Sequence, residues 1–114
     1  MRKLFKDLMA MDGVKGVMLF MPSGELVYKE FRIGGRSVSN QDWFALVNSV
    51  GEMQEAELVF EKGRIYSRRT AEGILVVVMG LIVPSAMIRL NSEILLRNYK
   101  SLRARKRSKS IFRI

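Results

Sequence analysis

The chain has 114 residues, 48% of them hydrophobic, which fits one globular domain with a single core. It contains neither cysteine nor histidine, so disulfides, thiolate metal sites, cysteine nucleophiles and the usual near-neutral general base are all excluded. The formal net charge of +9 is uneven: from Arg97 onward there are eight bases and no acid, whereas residues 1–96 hold twelve bases and all eleven acids.

Leu4, Phe5, Leu8 and Met11 recur at helical spacing and predict a short amphipathic helix with Lys3, Lys6 and Asp7 largely outside the apolar stripe. The bases here precede no apolar signal core. The longest apolar run, residues 74–83, is too short for a bilayer span, so a cytoplasmic location is expected. Gly13 and Gly16 read as the end of the first helix. The apolar run 17–21 then predicts a strand, Pro22-Ser23-Gly24 a chain reversal, and residues 26–31 the second arm of a hairpin.

Ile33-Gly34-Gly35-Arg36-Ser37 reads as a flexible connection, because it has neither the Gly-Lys-Ser/Thr ending nor the glycine spacing of a phosphate-binding loop. Ser39 or Asn40 is suited to cap a helix over residues 41–53, with Asp42 in its first turn. The apolar residues of that helix, among them Trp43, Phe44, Val47, Val50 and Met53, cover about half of its circumference, more than one buried stripe requires. The surplus predicts a second face offered to a partner; a helix sunk between two layers is the other way to use it.

Residues 57–61 predict a strand with charged ends, followed by a turn at residues 61–64 in which Gly63 is able to take positive φ. Residues 64–70 alternate, with Ile65 and Ser67 on one side and Arg64, Tyr66 and Arg68 on the other. After a turn at Ala71-Glu72-Gly73, the aliphatic run 74–79 suits a strand buried on both faces. Pro84 and Ser85 open a last helix, Ser85 as its N-cap, and Met87, Ile88, Leu90, Ile94, Leu95, Tyr99 and Leu102 form its expected apolar side. Leu96 falls on the expected polar side with Arg89, Glu93, Arg97, Lys100 and Arg103. The helix is expected to fray near residues 108–110.

The predicted architecture is α+β, in α/β/α layers: element order α-β-β-α-β-β-β-α, with the strands joined in one five-stranded antiparallel sheet. Residues 1–102 make the domain, and residues 103–114 a basic C-terminal tail carrying Arg103, Arg105, Lys106, Arg107 and Lys109. Asp12, Glu25, Glu30 and Glu72 lie in or beside turns, where carboxylates serve solvation, and no pair has a spacing that fixes it on one face. No catalysis, cofactor, metal or small-molecule substrate is expected.

Asp12-Gly-Val-Lys-Gly-Val-Met-Leu-Phe ahead of Ser23-Gly-Glu-Leu-Val-Tyr, with Ile65-Tyr66-Ser67 and Ile74-Leu-Val-Val-Val, resembles the roadblock/dynein light chain (longin-like) family over about residues 1–102. The resemblance implies a dimerising scaffold that pairs through its second helix and third strand. Carried onto this chain, the dimer interface would be Trp43, Phe44, Val47 and Val50 with Leu58, Val59 and Phe60. It also implies a partner: bacterial and archaeal members are similar to regulators of Ras-like small GTPases, some of which stimulate hydrolysis without a catalytic arginine. The tail departs from the compact family pattern. Five bases between Arg103 and Lys109, followed by Ile111 and Phe112, make binding to an anionic membrane or to nucleic acid the alternative function.

Overall fold

A computed structural model describes residues 1–32, 45 and 53–111, the last five of these through their backbone alone. The elements are α1 (Arg2–Ala10), β1 (Val14–Phe20), β2 (Leu26–Phe31), β3 (Glu55–Phe60), β4 (Gly63–Thr70), β5 (Gly73–Met79) and α2 (Ser85–Ile111). The predicted connection 33–37 lies outside the described residues. So does most of the predicted helix 41–53, including Trp43, Phe44, Val47 and Val50; Ala45 is helical, and Met53 is exposed and not helical.

The five strands form one antiparallel sheet in the order β2-β1-β5-β4-β3. The middle is the most aliphatic part of the sequence, as two-sided burial requires. Val17 pairs with Val77 and Leu19 with Leu75 across β1 and β5, and all four side chains are fully buried. Alternation sends Val17, Leu19, Tyr66, Leu75 and Val77 to one face, where Phe5 and Leu8 of α1 and Ile88, Leu95, Leu96 and Tyr99 of α2 meet them. Met18, Phe20, Ile65, Ile74 and Val76 form a second buried cluster on the opposite face, with Leu26, Phe31 and Leu58 against it.

Two glycines have roles other than those the sequence implied. Gly16 does not end the first helix: it lies within β1, which starts at Val14, and a Cβ there would come within 2.2 Å of the Phe31 ring. Gly63 does not take positive φ; a Cβ there would meet the Met79 carbonyl oxygen at 2.9 Å, so close approach of β4 to β5 selects glycine. Positive φ occurs at Gly13 (91°), leaving α1, and at Gly24 (101°) in the hairpin, where the Met21 N–H donates to Glu25 O at 2.7 Å.

The last helix is also rotated from its predicted setting. Leu96 is 5% exposed and belongs to the core, whereas Met87 (51%), Leu90 (58%) and Ile94 (41%) face outward. Ser85 does not cap the helix but is its first residue, and its hydroxyl bonds to Glu57 and Arg64 instead. Nor does the helix fray at residues 108–110; it continues to Ile111, and bases near a helix C-terminus favour such an extension by complementing the macrodipole.

Candidate protein-interaction face

β3 lies at one end of the sheet and, among the described elements, has a strand neighbour on one side only, β4. Such an edge presents unpaired backbone donors and acceptors, which soluble proteins usually blunt with charge, proline or a covering element. Here the exposed residues are apolar: Val59 is 68% exposed, Phe60 48%, and Met53 just before the strand 60%. Leu58 is half-buried against the cluster of Met18, Phe20 and Ile65, so it anchors the strand more than it presents it. Of the seven predicted interface residues, the structure thus describes three, on one strand: two point to solvent and one reaches the core.

The strand's acids hold its inner face to the rest of the domain. Glu57 Oε1 accepts hydrogen bonds from Arg64 Nη1 at 2.8 Å and from Ser85 Oγ at 3.0 Å. Arg64, its side chain 11% exposed, also donates from Nε to Gly80 O at 3.3 Å and from Nη2 to Val83 O. One guanidinium therefore ties β3, the β5–α2 connection and the start of α2 together.

A second network lies further along the same face. Glu55 Oε2 accepts from the Tyr66 hydroxyl at 2.7 Å, from Arg68 Nη1 at 3.0 Å and from Arg89 Nε at 3.0 Å. Arg68 Nη2 reaches Glu93 Oε1 at 3.1 Å. The Tyr66 hydrogen bond, with the two guanidiniums, holds the Glu55 carboxyl below its ordinary range against partial desolvation. Burial above all pushes the Tyr66 hydroxyl up to about 12, and the Glu55 charge beside it acts in the same direction. Among the described residues, no group of three acidic side chains is placed to hold a metal ion.

The sequence reading missed these networks, although a signal for them was present. Glu55 and Glu57 alternate with apolar residues on β3, and Arg64 and Arg68 alternate on β4; antiparallel pairing of Glu55 with Arg68 and Glu57 with Tyr66 brings these charges to one face.

The predicted tail begins inside the fold. The Arg103 guanidinium sits 5.8 Å from the Tyr99 ring centroid and 3.6 Å from the Glu72 carboxylate. Arg105 and Lys106 are exposed on the continuing helix, and the side chains of Arg107 and Lys109 lie outside the described residues. No helix among the described residues is long and apolar enough to cross a membrane.

No protein-family model matches the chain, and no curated protein matches it in sequence. Solved structures do match it. A Roadblock/LC7 domain from Streptomyces avermitilis superimposes with a TM-score of 0.70 at 12% identity, covering 90% of this chain and 96% of that one. An MglB structure with a tetrameric arrangement gives 0.68 at 16% identity, covering 82% and 79%. MglB from Myxococcus xanthus gives 0.61 at 17% identity, covering 87% and 90%. At such identities the likeness is one of fold, and the fold is the roadblock, longin-like one.

Proposed function

We propose that the chain is a non-catalytic homodimeric scaffold that binds a Ras-like small GTPase or a related signalling complex. The observation behind this is the apolar edge of β3, with Val59 and Phe60 exposed at the end of a sheet of roadblock fold. A second copy aligned along β3 would satisfy that edge's backbone groups and cover both side chains by strand addition. Leu58 would support the strand from beneath, and Trp43, Phe44, Val47 and Val50 of the predicted helix 41–53 would complete the interface. The apolar surplus of that helix in the sequence agrees with such a use.

The GTPase partner follows from the family resemblance of the sequence, and a shared dimer surface gives it a broad platform. No group of the chain is assigned to hydrolysis; any stimulation would act by ordering the GTPase's own groups. Calorimetric titration with a Ras-like GTPase of the same genome, loaded with GDP or with a non-hydrolysable GTP analogue, tests the partnership. Saturable binding that differs between the two nucleotide states is the expected outcome. Absence of binding in both states would remove the GTPase from the account.

A further inference from the structure

The outer face of α2 carries two kinds of side chain in sequence along its length. At 100° per residue, Met87, Leu90, Ile94, Arg97, Ser101 and Arg105 fall within about 80° of arc and extend over about 27 Å of helix. The buried residues Ile88, Leu95 and Tyr99 lie on the other side. The first half of this outward face is therefore apolar and exposed, and the second half is basic and exposed. Leu81 (49% exposed) and Ile82 (94%) extend the apolar half into the connection before the helix.

Bases outnumber acids around the face, where Asp7 of α1 is a carboxylate beside Ile94. Glu93 pairs with Arg68, Glu55 with Arg89 and Glu72 with Arg103. Among the described residues, Arg97, Lys100, Arg105 and Lys106 have no carboxylate partner. α1 runs antiparallel to α2: Asn91 Nδ2 lies 3.5 Å from Met11 Sδ after the end of α1, and Lys3 near its start shares a groove with Asn98. Lys3 thus lies beside the second half of α2, in a groove that Asp7 and Ile94 also line.

We propose that this face of α2 docks the protein on an anionic lipid surface. Met87, Leu90 and Ile94, with Ile82, would enter the headgroup boundary, and Arg97 and Arg105 would meet lipid charge. A lipid surface fits for two reasons. The apolar residues form a ridge on a convex helix, which a soft bilayer accepts without a preformed groove. The unpaired cations around it call for an anionic counterpart, and a second copy would bring the same excess of bases to the contact.

Co-sedimentation of the full chain with phosphatidylcholine vesicles, with and without added phosphatidylserine, tests this. Binding is expected to depend on phosphatidylserine and to weaken as salt is raised. Arg97→Ala with Arg105→Ala should weaken it about thirtyfold, and Leu90→Ser with Ile94→Ser by about tenfold or more. All four side chains are exposed, so circular dichroism should show both variants folded. No binding to anionic vesicles would overturn the proposal. So would binding that ignores Leu90→Ser/Ile94→Ser, because the bases alone would then account for it. Self-association abolished by that variant, without vesicle binding, would give the face to a second copy. The vesicle outcomes leave the β3 edge untouched, whereas self-association lost in that variant would also count against β3 as the self-contact.

Discussion

The sheet has two edge strands, and they are finished in opposite ways. β2 is tied off. Tyr28 stacks on Phe5 with ring centroids 4.2 Å apart, and Phe31 lies over Gly16. Just past the strand, Arg32 donates from Nε to Val14 O at 2.6 Å and from Nη2 to Met9 O. Lys29 and Glu30 put charge along that edge, the usual defence against further pairing. β3 is held only from within, through Leu58 and two carboxylates, and presents Val59 and Phe60 outward. One edge spends its aromatic residues on the protein's own core; the other leaves an aromatic and a β-branched residue for something else. The contrast supports the proposed interface at β3 rather than one at β2.

Breaking the closed edge should have the largest effect on folding. Phe5 is fully buried beneath Tyr28, so Phe5→Ala should cost about 3–5 kcal/mol and loosen α1 and β2 together. Urea denaturation followed by circular dichroism would read the loss. Arg64→Ala should cost less, about 2–3 kcal/mol, because it leaves Glu57 and the carbonyls of Gly80 and Val83 short of a donor while most of the β4–β5 pairing remains. The same denaturation measurement, with proteolysis near β3 as a local probe, would separate detachment of the strand from global unfolding.

The alkaline range offers a finer test of how β3 is held. The Tyr66 hydroxyl, raised from 10.0 to about 12, favours its neutral form in the fold. The stability from this preference is fully present below the unfolded value and is lost as pH rises through about 12. Tyr66→Phe should flatten the fall of stability across that window, and tyrosinate absorbance should lose its component at about 12. Glu55 has the opposite sign: its lowered carboxyl stabilises above the ordinary range, and that contribution is lost as pH falls through the depressed value.

Much of this architecture was legible in the sequence because local chemistry and tertiary demand agreed. The run 74–79 is apolar at every position, so no competing pattern could move it from the centre of the sheet. Proline, serine and glycine fixed the first hairpin. The last helix was misread for a physical reason. Its apolar residues cover a wide arc, and centring the buried side on all of them put Leu96 outside and Met87, Leu90 and Ile94 inside. A helix that buries one stripe and exposes another has no single apolar centre to find. The salt-bridge networks stayed hidden because they depend on strand register, which relates residues such as Glu55 and Arg68 that are far apart in sequence.

The account rests most heavily on β3 being an open edge that a second copy closes. Sedimentation-equilibrium measurements on the full chain and on Val59→Lys with Phe60→Lys test it most directly. Both side chains are exposed, so the double variant should keep its unfolding midpoint within about 0.5 kcal/mol per site. The account predicts a dimer for the unmodified chain and a folded monomer for the variant. A monomeric unmodified chain, or a dimer that survives both lysines, would contradict it.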